Sequence, residues 1–319
     1  MNVLLLGETG DQLDEGMKNT SMKLHSTLDS TGDHDVTLLD LPSIRSKEFW
    51  GHLLSREIDV VHLIPGPTPQ GLALLQLLGA WKGAHTVATA TQPLHVDVME
   101  AAKSVLAPDK ILAQSAELRR TFHSAGFDTE FVPSGVDLTQ FEPNDDTDAL
   151  RERLDLPADE RILLHVGHCK EGRNVRALTE LTEYGRVVVV GSPSTGPEDH
   201  LIEDLRSEGC IVRTDYVEQI EEYYNAADVY VFPVLDSTNS IQVPLSVFEA
   251  MGCNCPVVAT RFGGLTDCFD PGDGLRFVDD VREITSDDLS FERVETREKV
   301  SKYSWESIGR TVSDIYEEL

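Results

Sequence analysis

Short apolar runs bounded by turn residues alternate with longer stretches of helical periodicity along the chain, and few folds accommodate this pattern. Parallel strands joined by crossover helices produce it, because both faces of a parallel sheet are buried. The pattern therefore predicts an α/β protein. The predicted helices include Met17–Leu28, Gly71–Gly79 and Thr147–Leu154. The predicted strands are Val3–Leu6, Val36–Leu39, Val60–Ile64, Thr86–Thr89, Ile111–Gln114, Glu130–Val132, Ile162–Val166, Arg186–Val190, Cys210–Arg213, Val229–Phe232 and Pro256–Thr260.

The alternation is interrupted between Phe141 and Arg161, where Asp, Glu, Asn and Pro accumulate as they do in linkers. A chain of 319 residues is long enough for two α/β domains of ordinary size. We predict an N-terminal Rossmann-like domain over residues 1–140 and a C-terminal one over 141–300. In tandem domains of this kind the carboxyl ends of the strands are expected to face a cleft between the domains, where a ligand binds.

The last residues, 301–319, predict an amphipathic helix that packs back on the N-terminal domain. Ser304 precedes the apolar stripe and is a suitable N-cap. Trp305, Ile308, Val312, Ile315 and Tyr316 share one face of the helix.

The charge balance argues against nucleic acid as a partner. Asp and Glu contribute 56 negative charges against 27 positive charges from Lys and Arg, a net charge of −29. A field of this sign repels nucleic acid. The acidic residues are dispersed over the chain, which indicates a surface adapted to high salt in a halophilic, haloarchaeal cytoplasm, where a Debye length of about 3 Å at 1 M salt screens self-repulsion. An acidic protein from a mesophile is the alternative.

Cysteine usage and apolar length argue against a metal site and a membrane span. The five cysteines have no framework spacing, and Cys253 and Cys255 lack a second pair that would complete a zinc site. The chain start lacks the features of a signal peptide. The longest apolar segment, Gly71–Trp81, is shorter than the roughly 20 residues that span a bilayer. We expect a cytoplasmic protein with peripheral membrane contact at most.

The stretch Val243–Thr260 carries the most chemical information. It reads as a loop, a short helix that contains Glu249, a tight turn and a buried strand, and the pair Gly263 and Gly264 follows it. A carboxylate can accept hydrogen bonds from both hydroxyls of a ribose, and free backbone amides at a helix start or beside glycine can bind a diphosphate. A nucleotide needs both groups within a short distance.

This stretch resembles the donor-binding signature of the GT-B glycosyltransferases, in particular the retaining family 4 (glycosyl transferases group 1). The family signature is a Glu, seven residues, and then Glu-Ala-Met-x-x-x-x-Pro-Val-Val-Ala-Thr. The resemblance extends in order from about Asp59 to the end of the chain. The other matching segments are Pro133–Asp137, Val166–Asn174, Tyr224–Pro233 and the segment around Trp305.

The resemblance implies a GT-B fold of two Rossmann-like domains and assigns roles to individual residues. Glu249 matches the second Glu of the family pair and would bind the ribose of a nucleotide-sugar donor. Arg173 and His168 match basic residues that neutralise the donor diphosphate, and His168 has this charge only when it is protonated.

The resemblance also implies backbone contacts to the donor. Val243, Pro244 and Leu245 lead into the helix that contains Glu249. Gly263 and Gly264 follow the next strand. Gly16 opens a helix after the first strand of the N-terminal domain, where the family has a glycine-rich turn that approaches the phosphates.

One position departs from the family pattern. Ile241 stands where the family has its first Glu, the residue near the reacting sugar, and an isoleucine cannot bind sugar hydroxyls or balance positive charge. Gln242, Asp236 or another polar group substitutes for it, or the sugar is held differently, or activity has been lost. We count Gln242 with Glu249 and Arg173 as the predicted catalytic residues.

The resemblance implies a hexosyltransferase-type enzyme that moves a sugar from a nucleoside-diphosphate donor to a glycan or lipid-linked acceptor with retention and without a metal. The alternatives are a non-catalytic nucleotide-sugar-binding subunit and a nucleotide-sugar epimerase of the same fold. A nicotinamide dehydrogenase is disfavoured, because the segment after the strand that ends at Val190 lacks a Gly-x-Gly-x-x-Gly turn.

Overall fold

The chain forms two parallel sheets, each of six strands. It divides into two compact units, of which unit 1 comprises Met1–Gly135, Ile241–Val243 and Trp305–Leu319, and unit 2 comprises Val136–Ser240 and Pro244–Ser304. The computed structural model describes residues 1–10, 16–54, 56–92, 96–193, 196 and 198–319.

Unit 1 has the strand order β2-β1-β3-β4-β5-β6. Its central strands are buried on both faces because helices cover the sheet, as the near-continuous apolar runs predict. The strands are β1 Asn2–Gly7, β2 Asp35–Asp40, β3 Val60–Leu63, β4 His85–Ala90, β5 Lys110–Ala113 and β6 Thr129–Phe131. The helices are α1 Gly16–Thr31, α2 Lys47–Leu54, α3 Pro69–Lys82, α4 Val96–Ala101, α5 Lys103–Leu106 and α6 Ala116–Ser124, and a 3-10 turn spans Leu41–Arg45.

Unit 2 has the strand order β12-β11-β10-β7-β8-β9, which is that of a dinucleotide-binding Rossmann fold. The strands are β7 Ile162–Gly167, β8 Arg186–Gly191, β9 Ile211–Arg213, β10 Val229–Phe232, β11 Val257–Thr260 and β12 Leu275–Val278. The helices are α7 Thr147–Arg153, α8 Asp199–Ser207, α9 Ile220–Ala226, α10 Leu245–Gly252, α11 Leu265–Cys268 and α12 Thr296–Val300. Segments of 3-10 helix span Glu171–Arg173, Val175–Glu183, Val281–Glu283, Ser286–Leu289 and Ser301–Tyr303.

The predicted α/β class with two Rossmann-like domains is confirmed. The structure adds β12, which sequence reasoning missed. This strand pairs with β11 at the edge of the sheet, and only Leu275 and Phe277 of its four residues are buried. So short a run, with one charged residue inside it, carries too weak a period-two signal to be recognised.

The C-terminal helix α13, Trp305–Glu317, belongs to unit 1 and packs against α1. All five residues of its predicted apolar face are buried. The two helices come close at Gly309, where an added β-carbon would lie 2.5 Å from Thr27 Cγ2. The predicted return of this helix to the N-terminal half is confirmed.

Buried hydrogen bonds tie α13 to the first sheet. His62 on β3 pairs through Nδ1 with the Tyr316 hydroxyl at 2.6 Å and through Nε2 with Thr89 Oγ1 at 2.7 Å. His34 Nε2 lies 2.6 Å from Ser313 Oγ. Burial lowers the pKa of His62 to about 3, so this imidazole stays neutral in the folded protein.

We expect the stability of unit 1 to fall as the pH is lowered through the range below about 6.5. The pKa of His62 in the unfolded chain is about 6.5, so the unfolded chain binds a proton that the folded protein does not bind until the pH is about 3. The loss amounts to about 1.4 kcal/mol per pH unit in this window and vanishes above it. Urea unfolding of the wild type and of His62→Gln, at pH about 7.5 and about 5.5, measures it.

When the pH is lowered from about 7.5 to about 5.5, the free energy of unfolding of the wild type should fall by about 1.4 kcal/mol more than that of His62→Gln. His123→Gln, which changes an exposed histidine of α6, serves as the control and should lose as much as the wild type. Equal losses in the wild type and His62→Gln would contradict the prediction.

In the described part of the chain, no helix combines the length and the apolar character that crossing a bilayer requires.

Candidate functional site

The strand order of unit 2 places its topological switch point between β7 and β10. Connections leave these neighbouring strands in opposite directions, and the crevice outside their carboxyl ends is where open α/β sheets bind ligands. The loop after β7 contains His168 and Arg173, and the loop after β10 begins at Pro233. Asn174 has a left-handed backbone conformation with φ 57°. Its side-chain Nδ2 donates to the Pro233 carbonyl at 3.1 Å and so connects the two loops.

Arg173 is a half-buried cation at this switch point. Its guanidinium makes no hydrogen bond or ion pair with any residue of the described ranges, and burial lowers its pKa. Arg176 contrasts with it, since this exposed side chain is neutralised by Glu171 and Asp204. A desolvated charge without a counterion is costly, and an anionic ligand would supply the missing partner.

His168 is the first residue after β7 and therefore also lies at the switch point. Its carbonyl accepts a bond from the Lys170 amide at 2.9 Å, which shapes the loop. Both His168 and Arg173 lie close enough to His165 to lower the pKa of that buried imidazole, although burial is the main cause. The two predicted diphosphate-binding residues are thus neighbours of one buried group.

Glu249 lies on α10 and is oriented by a buried tyrosine. The Tyr224 hydroxyl donates to Glu249 Oε2 at 2.8 Å. Burial first, and the Glu249 carboxylate second, raise the pKa of Tyr224 well above 10, so the tyrosine remains a donor at all working pH values. This bond fixes the plane of the carboxylate.

Tyr230 on β10 connects the two halves of the site. Its hydroxyl donates to Ser246 Oγ at 2.7 Å, three residues before Glu249 on α10. Burial raises the pKa of Tyr230, with a further increase from Glu249 and an opposing effect from Arg173. The predicted ribose-binding and diphosphate-binding residues therefore both lie near the Tyr230 side chain.

Backbone amides at the start of α10 lie in the same region. Pro244 is the N-cap residue and forms no side-chain hydrogen bond to the helix. The first-turn amides of Leu245 and Ser246 have no intrahelical acceptor, and the helix dipole adds partial positive charge there. These groups can bind an anion.

The glycine pair after β11 has a structural requirement of its own. Gly263 has φ 51°, in the left-handed region that favours glycine, and Gly264 is the N-cap residue of the short helix α11. The turn favours glycine at position 263 whether or not it contacts a ligand, whereas Gly264, with φ −81°, has a conformation open to any residue.

The remaining predicted residues lie in unit 1. A β-carbon added to Gly16, the first residue of α1, would lie 2.8 Å from Ile241 Cδ1, so the Ile241 side chain occupies the space that this glycine leaves. Gln242 is buried and donates its backbone N–H to the Thr91 carbonyl at 2.9 Å, and Val243 is fully buried beside it. The structure thus groups the ten predicted site residues into two sets, one in each unit.

Sequence reasoning missed three residues of the site, namely His165, Tyr224 and Tyr230. Each is a single polar aromatic group in an otherwise apolar or helical segment, and all three are buried. An isolated histidine inside a predicted buried strand is the one signal that could have been found, because such a residue must be neutral and must have a partner.

Comparison with known proteins finds a family model similar to the C-terminal segment and a relative similar to most of the chain. Residues 161–287 match a family model described as glycosyl transferases group 1. The chain is 28% identical over 283 residues to the D-inositol 3-phosphate glycosyltransferase of Xylanimonas cellulosilytica, which covers 80% of this chain and 62% of that protein. The matched part of the chain spans between 40% and 62% of the length of three curated relatives, namely the Xylanimonas protein, a second D-inositol 3-phosphate glycosyltransferase and the teichuronic acid biosynthesis glycosyltransferase TuaC of Bacillus subtilis.

Solved structures share the fold over the whole chain. A glycosyltransferase from Rickettsia africae superposes with a TM-score of 0.80 at 15% identity, covering 99% of this chain and 98% of the other. Anabaena HepE, solved in complex with UDP, superposes with a TM-score of 0.77 at 15% identity and covers 100% of both chains. The chain therefore has the two-domain GT-B fold, and its residues 161–287 match the model of the glycosyl transferases group 1.

Proposed function

We propose that this protein is a glycosyltransferase that binds a nucleoside-diphosphate sugar at the carboxyl ends of β7 and β10. It transfers the sugar to a hydroxyl of a glycan or lipid-linked acceptor, with retention and without a metal. The observation that carries the proposal is Arg173, a half-buried guanidinium without a counterion among the described residues, at the switch point of a Rossmann-like sheet.

The charge of the chain makes this cation significant. A net charge of −29 repels anions at long range, so an anion binds only where a local group compensates for that field. Arg173, the amides at the start of α10 and a protonated His168 supply such compensation within one loop cluster. A diphosphate, with two negatively charged groups next to each other, matches this set.

We assign to Glu249 the binding of the nucleoside part of the donor. Its carboxyl group is held by Tyr224, and carboxylate oxygens can accept hydrogen bonds from ribose hydroxyls. The solved complex of HepE with UDP, a protein of the same fold, supports a nucleoside diphosphate as the ligand.

In the proposed reaction, the bond between the anomeric carbon and the diphosphate oxygen breaks, and a bond from that carbon to the acceptor oxygen forms. The acceptor hydroxyl gives its proton to the leaving diphosphate oxygen, which also takes the electron pair of the broken bond. Arg173 and the α10 amides stabilise the negative charge that develops on the leaving diphosphate, which is electrostatic catalysis by preorganised groups. Gln242 is proposed as the polar group near the reacting sugar.

Calorimetric titration with UDP, GDP and ADP, over a series of KCl concentrations, tests the donor site. One nucleotide should bind selectively, and Glu249→Ala should weaken it about tenfold to a hundredfold through loss of the ribose bonds. Glu203→Ala removes an exposed carboxylate of α8 and is the matched control, with no change expected. Failure of the folded wild type to bind any of the three nucleotides would refute the donor site.

Transfer is tested with the sugar derivative of the nucleotide that binds. D-inositol 3-phosphate, named for the relative, and a lipid-linked sugar are the first acceptors to try. NMR of the product reports its anomeric configuration, and retention is the expected result. An inverted product would refute the proposed stereochemistry and leave the donor site intact.

A second candidate function is a non-catalytic nucleotide-sugar-binding subunit. The observation that favours it is Ile241, an apolar side chain packed on Gly16 at the position where the family resemblance implies an acid. This candidate predicts selective nucleotide binding with neither transfer nor slow hydrolysis of the donor. Release of free sugar from the donor by the wild type, and its loss in Arg173→Ala, would exclude it.

A further inference from the structure

His165 lies inside β7, and its side chain reaches the neighbouring strand β10 across the switch point. It is 1% exposed, and its Nδ1 lies 3.0 Å from the Val231 carbonyl of the neighbouring strand β10. Its ring stacks on Tyr230, with ring centroids 6.3 Å apart and planes inclined by 24°. The imidazole is therefore held in one orientation by a hydrogen bond and a stacked ring.

The hydrogen bond determines which nitrogen carries the proton. A carbonyl only accepts, so Nδ1 is protonated and donates to Val231, and Nε2 is an acceptor. Nε2 is fully buried, and no donor among the described residues reaches it. A buried acceptor without a partner destabilises a fold, and an apolar ring at this position would avoid the penalty.

Gly167, two residues later, lies between His165 Nε2 and the guanidinium of Arg173. A β-carbon built on Gly167 would lie 3.1 Å from His165 Nε2 and 3.5 Å from Arg173 Nη1. Because glycine has no β-carbon, an acceptor and a guanidinium, each without a hydrogen-bond partner among the described residues, border the same small space. A guanidinium only donates, so the two groups are complementary.

We propose that His165 is a positioning residue, whose Nε2 accepts a hydrogen bond from the Arg173 guanidinium when the diphosphate of the donor is bound. The proposal rests on the proposed function and assigns a further residue to its donor site. Held from behind by Nε2, the guanidinium presents its other N–H groups to the diphosphate in a fixed plane. Burial lowers the pKa of His165 to about 4, so the imidazole is neutral and does not repel the cation.

The test combines nucleotide affinity with stability in the full-length chain. His165→Phe keeps a ring that stacks on Tyr230 and removes the acceptor. Its urea unfolding midpoint should stay close to that of the wild type, because loss of the Nδ1–H donor to Val231 offsets relief of the unpaired Nε2, while its Kd for the nucleotide that the wild type binds should rise about tenfold. In the Arg173→Ala background the same change should have no further effect on Kd, because the partner is absent.

Two further variants keep the test independent of how well the Phe variant folds. Gly167→Ala, whose β-carbon separates the two groups, should also raise Kd about tenfold. His165→Gln retains an acceptor and should lose less affinity than His165→Phe. An unchanged Kd in His165→Phe, or a tenfold loss that persists in the Arg173→Ala background, would overturn the proposal while leaving the donor site in place. Absence of nucleotide binding by the wild type would instead refute the proposed function, and this proposal with it.

Discussion

Arg173→Ala should raise the Kd for the bound nucleoside diphosphate about a hundredfold, the largest functional effect that we expect from a single substitution. Charge-assisted hydrogen bonds to a phosphate contribute about 1.5–3 kcal/mol each, and the guanidinium can form two. In so acidic a chain, removing the cation also leaves the repulsion of the whole surface uncompensated. Calorimetric titration of wild type and variant at one fixed KCl concentration measures the change.

Arg176→Ala is the matched control for this substitution. Arg176 is three residues further on, is exposed, and is already neutralised by Glu171 and Asp204. The Arg176→Ala variant should bind the nucleotide as tightly as the wild type does. Arg173→Lys keeps the charge without the planar fork and should have an intermediate affinity. Equal losses in Arg173→Ala and Arg176→Ala would mean that net charge, and not a specific site, governs binding.

Arg151→Ala should destabilise unit 2 by about 2–4 kcal/mol, because it removes a buried guanidinium that bonds three carbonyls and a partly exposed carboxylate. The side chain is 8% exposed and donates through Nη2 to Asp228 Oδ2 at 2.7 Å. It also donates to the carbonyls of Ala226 at 3.0 Å and of Ala158 and Glu160 at 3.2 Å. The substitution leaves a carboxylate and three carbonyls without this donor.

The distribution of tryptophans allows the two units to be followed separately. All three lie in unit 1, at positions 50, 81 and 305, so their fluorescence reports the urea transition of that unit. Far-UV circular dichroism reports both units. In Arg151→Ala the dichroism should show an early transition that precedes the fluorescence change.

Arg153→Ala is the control on the same helix α7. Arg153 is 57% exposed and pairs with Glu222, so its loss should cost about 1 kcal/mol at most. Destabilisation of the same size in both variants would contradict the assignment of a buried structural role to Arg151.

Much of the fold was predictable because it depends on local patterns. The runs Val3–Leu6 in β1 and Val187–Val190 in β8 are apolar, since a parallel sheet covered on both faces excludes water from these side chains. The apolar stripe of α13 likewise follows from helical periodicity alone. The edge strand β12 escaped notice because its alternation of buried and partly buried residues extends over only four positions.

The site was predictable only where a contiguous motif carries it. Glu249 and Arg173 stand in segments whose residue order resembles a known signature, so the sequence alone is enough to propose them as site residues. Their partners do not, because Tyr224 meets Glu249 across 25 residues and His165 meets Val231 across 66. The His165 pair forms only after β7 and β10 become neighbours in the sheet, and the Tyr224 pair only after α9 packs against α10.

The amino-acid sequence thus determines the elements, the two-domain organisation of the fold and the residues that resemble a nucleotide-sugar site, since periodicity, turn residues and charge act over short distances along the chain. Only the tertiary structure decides that Arg173 has no counterion among the described residues, that Ile241 fills the space above Gly16, and that His165 has an unused acceptor. These properties depend on which atoms meet after the strands have been ordered, and strand order is a consequence of packing the whole chain.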